Sequence, residues 1–263
     1  MSLLLEGRCV VKRQALLYRV LLILLALIIL GAMNWWYTAS IDSYLETDFS
    51  NFWLAGHMLA AGQNPFSISQ WRLALTATGA YPFNDRFQYP PWSAALLVPV
   101  GILPFHLAIT LFLVLSEVSL IGIFWLGTRL VPWRMHPRVS LYLFAPLPLL
   151  FRPVLITLII GQVALVWLCT ALLSLWLIGK RRDFWGGMLL AALLFKPQLA
   201  IFPVLAVAGW ACWERRWAIV RGLGAGVATL LALSAPLLVV SWSGWAQEIL
   251  SEKTQDVQIC PTV

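Results

Sequence analysis

A carboxylate among aromatic residues, a lysine beside a proline, and an arginine in an apolar run are where this sequence could do chemistry. Asp48 opens a stretch in which Phe49, Phe52, Trp53 and Gly56 recur at helical spacing. A carboxylate there can take a proton from an acceptor hydroxyl, because a general base must lie within hydrogen-bond reach of its target. It can equally be a plain N-cap, with Gly62 closing the same helix. Asp42 and Glu46, just before it, read as a solvated acidic loop. Lys196-Pro197-Gln198 sets a cation before a proline suited to a first helical turn, whose free N–H groups and dipole favour a phosphate. The bland alternative is a lysine snorkelling from a helix break. Gly161-Gln162 opens another apolar run, and Gln162 can bond a sugar or merely a backbone group. Arg152 is costly in apolar surroundings unless it meets an anion or a carboxylate. Glu117 is an acid inside an apolar run, hence a functional candidate unless it is protonated or faces a polar cleft. His57, on the Asp48 helix, reads first as a packing residue.

Taken together, a carboxylate, two helix N-termini and two cations would suit displacement at a carbon whose leaving group is a phosphate. No HExxH, P-loop, Rossmann glycine motif or Ser/His/Asp constellation occurs. Cys9, Cys169, Cys212 and Cys260 are far apart and form no CxxC pair, so neither a zinc site nor a disulfide framework is expected. No metal and no cofactor is assigned.

The elements that must position these residues are helices in a membrane. The chain is 61% hydrophobic and only 11% charged, a balance suited to lipid as the main solvent. Apolar blocks run over 16–37, 105–130, 139–160, 162–178, 184–194, 199–213 and 218–240. The expected fold is all-α and polytopic, with about seven membrane helices in one transmembrane domain, 1–263. The first span is placed at 14–38, an external loop at 40–104, the remaining spans at 105–241 and an external tail at 242–263. The first span ends in Trp35-Trp36-Tyr37, an interfacial belt rather than a cleavage site. The external loop is expected to hold two interfacial helices, one from Asp48 to Gly62 and one near 92–103.

Charge sets the orientation. The formal net charge of +7 is dispersed in short clusters between apolar blocks, which argues for topology signals rather than a nucleic-acid surface. Arg8, Lys12 and Arg13 precede the first span and Arg19 lies in its first turns, and three more lie in each of the clusters at 129–138, 180–182 and 215–221. With those loops cytoplasmic, thirteen of eighteen basic residues are inside, and the N-terminus with them. Segment 184–213 then reads as a hairpin of two short helices turning outside at Lys196-Pro197, since one kinked span would put Arg215 and Arg216 on the wrong side.

Several ordered motifs resemble glycosyltransferase family 87, polytopic glycosyltransferases of the C class. They are Asp48-Phe-x-x-Phe-Trp-x-Ala-Gly-x-x-Leu, Gly62-x-x-Pro65-Phe66, Tyr89-Pro90-Pro91, Leu103-Pro104-Phe105, Gly161-Gln162 and Gly187 to Lys196-Pro197-Gln198. The resemblance implies a GT-C-like fold in a bacterial inner membrane with the active site on the outer, periplasmic face. It implies transfer of a hexose, mannose first, from a polyprenyl-phosphate donor to a lipid or glycan acceptor, with inversion. Asp48 would be the base, Lys196 and Arg152 would lie near the donor phosphate, and Gln162 and Tyr89 would line the cavity. Gln198 and His57 complete the candidate substrate-binding set. The partners implied are that donor, the acceptor and membrane lipids. Family members run on through further spans, so the sequence is expected to be a C-terminally truncated member or a degenerate one. A transporter or flippase using Glu117 and Arg152 is the alternative, as is an inactive membrane protein. A transporter, however, should gather polar residues at mid-membrane rather than at one surface.

Overall fold

The computed structural model describes residues 45, 47–79, 86–131 and 152–235, all within one compact unit, Asp42–Val263. The expected first span, Asp42, Glu46 and the tail at 242–263 lie outside the described residues. Every regular element among the described residues is helical: α1 Asp48–Ala60, α2 Ile68–Thr78, α3 Pro91–Gly101, α4 Phe105–Leu130, α5 Arg152–Ile159, α6 Ala164–Gly179, α7 Asp183–Ala192, α8 Pro197–Trp213 and α9 Trp217–Ser234. A 3₁₀ turn, Leu193–Phe195, follows α7.

The first three helices form the base on which Asp48 sits. α1 ends as its glycine requires: Gly62 has φ +70°, and the N–H groups of Gly62 and Gln63 donate to the carbonyls of Leu59 and Met58. The N-cap, however, is Thr47, and Asp48 is the first helical residue. The cap reading of Asp48 is therefore corrected, which frees its carboxylate for a partner elsewhere. The expectation that α1 has one polar, open face also changes. Residues 49–56 are all buried, including Ser50 and Asn51 on the polar side, so the helix is enclosed by protein. α3 lies against α1 backbone to backbone. A Cβ on Gly56 would sit 2.2 Å from the Leu97 carbonyl oxygen, and one on Gly101 would sit 2.0 Å from the Gly56 carbonyl carbon. Trp53 Nε1 donates to Leu103 O at 3.0 Å and His57 Nδ1 to Gly101 O at 3.0 Å, pinning the same pair of elements. α2 was not anticipated. Its signal was modest: Ser67 before it, Gly79 at φ +69° after it, and Trp71 and Ala74 buried at i, i+3 spacing.

The remaining helices include the candidate membrane spans. α4 and α9 are each long and apolar enough to cross a membrane, and α5 with α6, bent by 117°, would make a third as one broken span. α7 and α8 are shorter than the roughly 20 residues a straight span needs. Two of the pairings are parallel. On α4 and α6, Gly122 faces Cys169 and Trp125 faces Trp176, so both helices run the same way. On α7 and α9, Gly187 meets Ile219 while Gly226 meets Ala191. In that second pair Gly222 and Gly226 make a small-xxx-small stripe, and a Cβ on Gly222 would lie 2.0 Å from the Phe184 carbonyl oxygen.

α7 and α8 double back at Lys196. Arg216, just after α8, forms an ion pair with Asp183 at the start of α7 and donates to Ile178 O at 2.7 Å. The far ends of the two helices are therefore together, a hairpin rather than one kinked rod.

Candidate active site

The turn of that hairpin is held open by borrowed donors. In a continuous helix the Leu193 carbonyl would accept from residue 197, which is a proline and has no N–H. Here Trp167 Nε1 donates to Leu193 O at 2.9 Å, Trp92 Nε1 to Leu194 O at 2.8 Å and Ser93 Oγ to Phe195 O at 2.8 Å. Three side chains from α3 and α6 thus satisfy the carbonyls the break exposes, and they fix Lys196 as the N-cap of α8. None of the three was singled out from sequence. A pairing across about a hundred residues leaves no local pattern.

Gln162 reaches the same place from another turn. Gly161 has φ +66°, and the N–H groups of Gly161 and Gln162 close α5 onto Leu158 O and Thr157 O. A Cβ at Gly161 would sit 2.4 Å from the Phe49 Cβ, so the glycine is what lets this loop touch the first turn of α1.

These two turns and the start of α1 bring three of the expected residues into one chain of contacts. Gln162 Nε2 donates to an Asp48 carboxylate oxygen, and Lys196 Nζ donates to Gln162 Oε1 at 2.5 Å. Asp48 is half-buried, whereas Lys196 is only 7% exposed. The ammonium lies 5.3 Å from the Tyr89 ring centroid and 5.7 Å from that of Phe52, a cation–π setting for a charge with little water. Burial pulls the Lys196 pKa down, and the negative charge of Asp48 pulls it part of the way back. Tyr89 packs between Phe52, Phe87 and Phe195, with centroids at 5.4, 5.3 and 6.0 Å. Burial, and secondarily Asp48, push its phenol up to about 12, so it stays protonated.

Helix N-termini converge here as well. Asp48 opens α1, Gln162 lies just ahead of α6, and Lys196 caps α8. Each contributes the positive end of a helix dipole to a site that also holds an ammonium. That arrangement can receive an anion beside the Asp48 carboxylate.

The other expected residues stand apart. Arg152 is exposed at the start of α5 and makes no hydrogen bond or ion pair with this cluster. Gln198 is exposed on the first turn of α8. His57 is exposed, stacked on Trp53 at 4.9 Å and tied to α3. It lies nine residues along α1 from Asp48, about 13 Å by helical rise, so it serves as a clip between α1 and α3. Glu117 is buried in α4 and partnered. Among the described residues no group of His, Cys, Asp and Glu could hold a metal ion. Two cavities, about 580 and 590 Å³, lie away from the cluster: the first is apolar, between α7 and α9, and the second is at the ends of α4 and α6.

Comparison with known proteins gives the family. No curated protein and no solved structure matches the chain. The model of glycosyltransferase family 87 matches residues 87–258, well over half of the sequence, in a stretch that contains Tyr89, Gln162 and Lys196 and begins after Asp48. The chain, with its apolar helices, belongs to glycosyltransferase family 87 and is a membrane glycosyltransferase.

Proposed function

We propose that this membrane glycosyltransferase moves a hexosyl unit, with mannose the first candidate, from a polyprenyl-phosphate donor to a lipid or glycan acceptor, with inversion at the anomeric carbon. Asp48 takes the proton of the acceptor hydroxyl. The acceptor oxygen forms the new bond to the anomeric carbon as the bond to the phosphate oxygen breaks, and polyprenyl phosphate departs with that electron pair. Lys196 and the N-termini of α6 and α8 receive the departing negative charge. The observation that carries this reading is the Asp48–Gln162–Lys196 chain of hydrogen bonds, which sets base and cation one amide apart.

The surrounding architecture supports a GT-C-like arrangement of about seven spans with the N-terminus inside. The parallel run of α4 with α6 and of α7 with α9, and the hairpin at Lys196, each agree with the charge pattern. On this reading the cluster faces the outer, periplasmic side of a bacterial inner membrane, and the charge pattern supports that side. The polar groups gather at one end of the helices, which favours surface chemistry over translocation through mid-membrane.

The test is sugar transfer from a labelled polyprenyl-phosphate sugar in membranes carrying the protein. Asp48→Asn keeps the shape and removes the base, so transfer should fall by roughly 10²–10⁴-fold at normal expression. Wild-type transfer by that variant would reject the assignment. Loss of solute uptake in Glu117→Gln, with transfer intact, would favour a transporter.

A further inference from the structure

At the opposite end of α6 from Gln162, a cavity of about 590 Å³ is lined by six residues, among them Trp125 and Arg129 of α4, Trp176 of α6, and Lys180 just after it. The indoles lie 5.5 Å apart by ring centroid. Arg129 lies over Trp125 at 5.7 Å and Lys180 over Trp176 at 6.0 Å, giving a row of cation, ring, ring, cation.

Three features mark this row as a receptor. Its cations have no counter-charge: neither Arg129 nor Lys180 makes an ion pair among the described residues, Asp183 is taken by Arg216, and Glu214 is exposed and unpaired. Helix dipoles do not neutralise the row either, since two parallel C-termini supply about one negative charge against two positive ones. Its donors are also unused. Trp53, Trp92 and Trp167 each spend their indole N–H on a backbone carbonyl, whereas those of Trp125 and Trp176 make no hydrogen bond among the described residues.

We infer that this cavity binds the phosphate of an anionic phospholipid headgroup, through the guanidinium, the ammonium and the two indole N–H groups. Two cations and two amphipathic rings between parallel membrane helices fit the boundary between headgroups and acyl chains. α6 is 16 residues long, so about 24 Å separates this site from the Gln162 end. It is therefore distinct from the site assigned to the sugar donor.

The experiment is retention of lipid by the full chain purified in neutral detergent, read by native mass spectrometry and by thermal shift. Phosphatidylglycerol, phosphatidylcholine and inorganic phosphate serve as separate probes. Phosphatidylglycerol should be retained and should raise the unfolding midpoint. Its affinity should fall roughly fivefold in Arg129→Gln or Lys180→Gln and roughly thirtyfold in the double variant. Both residues are exposed, so the fold should persist, and Arg129→Lys with Lys180→Arg should restore most of the binding. Equal retention of phosphatidylcholine, equal protection by inorganic phosphate, or undiminished binding by the double glutamine variant would each overturn the inference. Asp48→Asn should bind the lipid normally, which separates this result from the transfer assay.

Discussion

Placed between a carboxylate and an ammonium, an amide does something a direct ion pair cannot. Gln162 gives its N–H to Asp48 and its carbonyl to Lys196, so each charge is held while both stay apart and available. Gln162→Leu should leave both groups unsatisfied and free to move. Because misplacement of an assembled site can cost about 100-fold, kcat should fall by roughly that factor with a smaller change in KM. Transfer kinetics would measure it, and a pure KM effect would return Gln162 to ordinary sugar binding. Tyr89 makes a prediction of the opposite kind. Its phenol is raised to about 12, so below that pH it is uncharged in both ground and reacting states. Tyr89→Phe should therefore lower transfer by the same factor from about pH 6 to about pH 9, where an ordinary phenol would also remain protonated. A factor that changes with pH over that interval would show the phenol titrating. At this scale Asp48, Gln162 and Lys196 were legible because each breaks an apolar context with a polar type. His57 and Arg152 broke the same pattern, but the fold ties His57 to Gly101 and leaves Arg152 exposed, outside the hydrogen-bonded cluster.

Between residue and site stand the turns, and two glycines with the same backbone allow their work to be separated. Gly62 and Gly161 have φ of +70° and +66°, so alanine at either costs about 1–2 kcal/mol for the left-handed conformation. They differ in surroundings: a Cβ at Gly62 meets nothing within 4 Å, while at Gly161 it meets Phe49 at 2.4 Å. Gly62→Ala should thus lower the unfolding midpoint and leave transfer nearly unchanged per folded molecule. Gly161→Ala should lower the midpoint further, by about 1–3 kcal/mol of overpacking, and also push α1 from the Gln162 loop. At least tenfold loss of transfer is expected for the second variant alone. Equal transfer by the two would mean that the α1–Gln162 approach does not position Asp48. Element ends of this kind were readable, since Gly62, Pro197 and Gly161 announce turns in any context. What covers α1 was not. Ser50 and Asn51 look like a solvent face in the sequence, yet both are buried because α1 is enclosed on that side too.

For the molecule as a whole, the helix directions constrain which loops share a side. Parallel α4 and α6 put Arg129 and Lys180 at one end, and the Arg216–Asp183 pair brings the close of α8 to that same end. Lys196 and Gln162 mark the other. The periodicity and charge of the sequence carried this polarity because lysine and arginine resist translocation, a force that acts on composition and not on packing. Span count was less legible: a helix shortened at Lys196 needs Trp92, Ser93 and Trp167 to satisfy its break, and only the assembled fold supplies them. A labelling experiment checks the polarity directly. With Cys9, Cys169, Cys212 and Cys260 replaced by serine, Gln198→Cys and Arg181→Cys each offer one exposed thiol at opposite ends. A membrane-impermeant maleimide added to intact cells should modify Gln198→Cys, and Arg181→Cys should react only after the membrane is opened. Labelling of both from the outside would place the Asp48–Lys196 cluster and the basic end on one surface. In that event α7 and α8 would lie along the membrane rather than dip through it, and the cluster would lose the separation from the cytoplasm that a lipid-linked donor at the outer face requires.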